Sequence, residues 1–73
     1  MTTYRTTDLH CSSYLVTQGH HLLRVEGSPR ESEFVFQGSA QLAQDVAAFY
    51  GNTATVRALD LFRSFKQLRR RLY

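Results

Sequence analysis

Residues 20–37 read HHLLRVEGSPRESEFVFQ, and the reading of this stretch decides the fold. Leu23 and Val25 alternate with Arg24 and Glu26, the period-two pattern of a half-buried strand. Gly27, Ser28 and Pro29 then form a turn signal. Residues 32–37 (SEFVFQ) predict a second strand with Phe34 and Phe36 on one face. The two runs are close enough in sequence to pair as an antiparallel hairpin. A lone hairpin is not stable in water, so helices must cover one of its faces. The expectation is a small α+β domain.

Helical patterns flank the hairpin on both sides. Upstream, Cys11, Tyr14, Leu15 and Val16 recur at spacings near three and four, which predicts a helix over 9–18. Thr6 or Thr7 is expected to cap it, with Asp8 in its first turn and Gly19 at its stop. Residues 1–5 read as a loose arm. Downstream, Ser39 is placed to cap a second helix ending near Tyr50, with Gly51 and Asn52 as its stop. A third helix is expected from Thr53 or Thr55 to the end of the chain. The predicted order is α-β-β-α-α in one domain over residues 1–73. Its expected core is Leu9, Leu15, Leu23, Val25, Phe34, Phe36, Leu42, Val46, Phe49, Leu61, Phe65, Leu68 and Leu72.

Seventy-three residues bury only about 60% of their unfolded surface, so each apolar contact carries weight. At 42% hydrophobic the chain is too apolar to be disordered. It has no apolar run of membrane-spanning length and no signal-peptide pattern at residues 1–10. A single cysteine, Cys11, rules out an internal disulfide, and a cytoplasmic setting is the simplest expectation.

Side chains that could carry catalysis are few. His10, Cys11, His20 and His21 are the one grouping of metal-ligand types. Neighbours on a helix diverge by about 100°, and neighbours on a strand point to opposite faces. At most one of each pair can converge, short of the four ligands that structural zinc takes. Cys11 lacks an evident pocket and orienting partner for nucleophilic work. No paired-carboxylate or phosphate-loop pattern occurs. No enzyme activity, metal or cofactor is expected.

The charge points elsewhere. The formal net charge is +3, and residues 56–73 hold six basic residues against Asp60. Leu61, Phe65, Leu68 and Leu72 form one helical stripe, while Arg63, Lys66 and Arg70 form another. The expected working surface is therefore cationic: Arg57, Arg63, Lys66, Arg69, Arg70 and Arg71. Its partner would be nucleic acid or another anionic surface, such as an acidic protein, and not a membrane. Tyr4, Tyr50 and Tyr73 are candidates for stacking on bases. Leu59 and Phe62 lie off the buried stripe and widen the apolar arc, a candidate protein-interaction surface or homodimer contact. A helix-turn-helix can be drawn through Gly51 and Asn52. Most of the charge then lies at the wrong end of the second helix for base readout.

Several short motifs occur together along the chain: Thr6-Thr7-Asp8-Leu9, Tyr14-Leu15, Gly19-His20, Phe34-Val35-Phe36, and the basic end Leu68-Arg69-Arg70-Arg71-Leu72-Tyr73. With them the chain resembles a family of short bacterial and phage-borne domains of unknown function. The resemblance spans nearly the whole length and rests on caps, core positions and a basic tail. It implies no activity, cofactor or site. Its context would suit a small accessory protein acting on nucleic acid, or an interaction or inhibitory module directed at a host protein complex.

Overall fold

The computed structural model describes residues 2–28 and 30–71. Their order is β1 (Thr3–Thr6), α1 (Leu9–Thr17), β2 (Leu22–Glu26), β3 (Glu33–Gln37), α2 (Ala40–Tyr50) and α3 (Ala58–Arg70). The class is α+β: three helices and a three-stranded antiparallel sheet in the order β1-β3-β2. Leu72, expected in the core, lies outside the described residues.

Residues Thr3–Thr6 form strand β1 and are not part of a loose arm. Tyr4 pairs with Phe36 and Thr6 with Phe34, which makes β3 the central strand. Tyr4 packs on the core while Arg5 faces outward, an alternation written in β-branched and aromatic residues. The threonines made this segment look polar, and so like a tail.

The hairpin forms with an irregular register. Leu22 opposes Phe36 and Arg24 opposes Val35, so Leu23 is the extra residue of a β-bulge. The bulge resets the alternation. Leu22 and Val25 both pack on the core, and Leu23, expected inside, is 37% exposed. On the outer face Val35 is fully buried between Arg5 and Arg24, its partners on either side. Arg5 reaches Glu26 at 3.1 Å and Glu33 at 2.8 Å, and Arg24 reaches Glu26 at 2.7 Å. These exposed pairs are individually weak, but they hold the arginine stems over Val35. Arg24 and Arg5 also keep the Glu26 carboxyl below its usual range.

Helix α1 is the middle layer. Cys11, Ser12, Ser13, Tyr14 and Leu15 are all buried, as expected of a helix covered on more than one side. One side meets the sheet through the cluster of Cys11, Tyr14, Leu15, Phe34 and Phe36, and another meets α3. Serines suit a helix this deeply buried because they are small and their hydroxyls are satisfied locally. Ser12 donates to the Asp8 carbonyl at 2.8 Å and Ser13 to the Leu9 carbonyl at 2.7 Å. Across the seam, Thr17 donates to the hydroxyl of buried Ser64 at 2.8 Å.

The caps are in part as expected. The Ser39 hydroxyl accepts from the Leu42 amide at 3.0 Å and starts α2. Gly19 follows α1 at φ +92°, and the His20 amide bonds back to the Leu15 carbonyl in a left-handed C-terminal cap. Asp8, not Thr6 or Thr7, is the N-cap of α1. Neither Thr53 nor Thr55 caps α3, which starts at Ala58 with no side-chain cap. Residues 53–57 instead run without helix, and Ala54 and Val56 pack on the core.

Candidate functional site: the outer face of α3

Helix α3 rests on α1 through Ser64 and Leu68, both buried, and through half-buried Leu61 and Phe65. At about 100° per residue, Leu59, Phe62, Arg63, Lys66, Arg69 and Arg70 fall on an arc of roughly 120° opposite that contact. All six are exposed. The structure thus brings together four of the six expected cations and both expected apolar contact residues. Arg57 is exposed at the helix start, as its N-cap residue. Arg71 stands apart, lining a shallow concavity with Val16, His20, His21 and Leu22.

Among the described residues, none of the six cations is in an ion pair. Four of the six carboxylates are engaged elsewhere: Glu26 and Glu33 on the outer sheet face, Asp45 with His20 at 2.6 Å, and Asp8 at its cap; Asp60, in the first turn of α3, and Glu31 form no ion pair among the described residues. The cationic arc therefore faces solvent. It is not wholly polar: Leu59 and Phe62 are 61% and 59% exposed within it.

Beside this arc lies an apolar groove of about 190 Å³, walled by His10 and Ser13 of α1, Phe49 of α2, and Leu61, Phe62 and Phe65 of α3. It forms because α3 packs on α1 rather than on α2, which leaves an opening between the two outer helices. The His10 ring stacks on Phe65 with centroids 5.3 Å apart and planes 16° from parallel. This groove was not legible in the sequence, since its walls come from three helices. The same packing disposes of the helix-turn-helix. Seven residues separate α2 from α3, against the three or four of that motif.

The remaining candidates have structural roles. Tyr4 packs on the core, so it is not available for stacking on a base. Tyr73 lies outside the described residues. The Tyr50 ring is exposed, but its hydroxyl donates to Asp8 at 2.7 Å and ties the end of α2 to the start of α1. That bond raises the Tyr50 phenol well above its ordinary pKa. Cys11 is fully buried, and burial pushes its thiol up, away from the thiolate a nucleophile needs. Among the described residues no cluster of three or more His, Cys, Asp or Glu could hold a metal ion. No helix among them is long and apolar enough to cross a membrane.

Asp8 offers a test of this arrangement. Its carboxylate accepts from the His10 and Cys11 amides at 2.9 and 3.1 Å as well as from Tyr50. Burial works against ionisation, but these three bonds outweigh it and hold the carboxyl below its usual range. Asp8→Ala should cost about 1–2 kcal/mol, the value of a lost N-cap. In a domain of this size each kcal/mol lowers Tm by roughly 4–8 °C. Because the folded pKa is depressed, the contribution is present above the unfolded value of about 3.9 and disappears as pH falls through the folded one. Thermal melts should therefore show the gap between wild type and variant closing toward low pH.

The chain matches, over residues 1–73, a family described as a domain of unknown function (DUF5659), and it belongs to that family. No curated protein and no solved structure matches it.

Proposed function

We propose that this protein is a non-enzymatic binding module that engages an anionic partner through the outer face of α3. The observation that supports the reading is the cationic arc of Arg63, Lys66, Arg69 and Arg70, none of which is in an ion pair among the described residues, with four of the six acids committed elsewhere. Charges of one sign gathered on one face raise the local concentration of an oppositely charged partner and speed encounter. Arginine adds bidentate recognition of phosphate or carboxylate. A cytoplasmic setting belongs to this reading, since the single cysteine offers no internal disulfide.

A twelve-nucleotide DNA serves as a polyanion of known charge. Fluorescence anisotropy should show binding that weakens steeply between about 50 and 200 mM salt. Arg63→Gln with Arg70→Gln should flatten the log–log salt slope by roughly 1.4–1.8, the value of two phosphate contacts. The control is Arg24→Gln with Arg30→Gln, which removes the same charge from elsewhere and should leave the slope nearly unchanged. Equal effects from the two pairs would mean that net charge, not this face, governs binding.

A further inference from the structure

We infer that the partner of the α3 face is an acidic protein segment that inserts one aromatic or large aliphatic side chain into the groove between α1, α2 and α3. The inference rests on the binding reading above and narrows it to one class of partner.

The groove is the first ground. Its walls are almost wholly carbon, with His10 and Ser13 the two polar residues, and Ser13 spends its hydroxyl on the Leu9 carbonyl. At about 190 Å³ it falls below the roughly 300–1,000 Å³ of small-molecule sites. An apolar cavity of about 150 Å³ accommodates a benzene ring, so one phenylalanine or leucine side chain suits this space.

The surroundings are the second. Phe62 is both a wall of the groove and a member of the cationic arc, next to Lys66 and Arg69 along the helix. An apolar anchor flanked by carboxylates would meet complementary groups on both counts. Three other occupants fit less well. A nucleobase in the groove would leave its polar edges without partners, a costly burial. A phosphate backbone alone would cover Leu59 and Phe62 without using them. A second copy of the chain would set one cationic arc against another in a protein already at +3.

The probes are two twelve-residue synthetic peptides, rich in glutamate and identical except for a central Phe or Ala, with twelve-nucleotide oligothymidylate alongside. At about 50 mM salt the Phe peptide should bind at least tenfold more tightly than its Ala twin. Phe62→Ala, at an exposed position, should keep the far-UV circular dichroism spectrum and abolish that difference while leaving the Ala peptide unaffected. Phe62→Leu should restore part of the difference. Arg63→Gln with Arg70→Gln should weaken both peptides alike. Twin peptides of equal affinity, or a difference that survives Phe62→Ala, would overturn the inference while the anionic-partner reading stood. Oligothymidylate binding more tightly than either peptide and depending on Phe62 would assign the groove to nucleic acid. Failure of all three probes to bind would remove both readings.

Discussion

Phe36→Ala is expected to remove more stability than any other single truncation of the sheet. Phe36 is fully buried on the central strand, opposite Tyr4 on one neighbour and Leu22 on the other. All three strands and α1 meet in the cluster it belongs to. Removing a buried phenyl ring costs about 3–5 kcal/mol, the lost transfer free energy plus the cavity left behind. At 0.05–0.15 kcal/mol per residue, the whole domain has roughly 4–11 kcal/mol. The loss runs from about a quarter of that total to the whole of it. Circular dichroism should show the thermal transition lowered by roughly 12–40 °C. A variant melting within a few degrees of wild type would mean that the sheet is not organised around this residue.

The second large effect is expected at Leu68, the buried anchor of α3. Leu68→Ala should cost about 2–5 kcal/mol. Its position makes the loss regional. Amide hydrogen exchange should rise along α3 before it rises in β3, because α3 is an outer layer and β3 the central strand. Anion binding should fall as well, although no cation has been touched, since the arc exists only while α3 is seated on α1. The contrast is Phe62→Ala, one turn and a half away on the exposed side. A surface change of that kind stays within about 0.5 kcal/mol. Urea unfolding measures both, and similar losses at Phe62 and Leu68 would contradict the assigned orientation of the helix.

Much of this architecture is legible in the residues. Phe34 and Phe36 mark β3, Ser39 marks the start of α2, and Gly19 the end of α1, each through local chemistry that the fold keeps. Three features are not legible, for separate reasons. Strand β1 consists of threonine, tyrosine and arginine, and without a partner strand in view its alternation is too polar to stand out. The bulge at Leu23 depends on pairing register, which local sequence does not specify: alternation alone places Leu23 inside, whereas Leu22 is the residue that packs on the core. The α1–α3 seam includes Ser13, Thr17 and Ser64, and Ser12 is buried on the same helix. Their hydroxyls bond within the helices and to one another, and polar letters therefore conceal a buried contact.

The candidate site divides in the same way. The cationic positions follow from helical periodicity alone, as does the exposure of Leu59 and Phe62. The groove needs tertiary structure: His10, Phe49 and Phe65 are distant in sequence and converge only when α3 lies across α1. Arg71 shows the limit of reading a charge run as one patch, since it turns toward the loop between α1 and β2.

The most direct test of the account is an amide chemical-shift titration of the isotopically labelled protein with the acidic Phe peptide. Perturbations should gather along residues 57–70 and at His10 and Phe49, with the outer sheet face of Arg5, Arg24 and Val35 unmoved. Perturbations centred on that sheet face, with α3 silent, would contradict it.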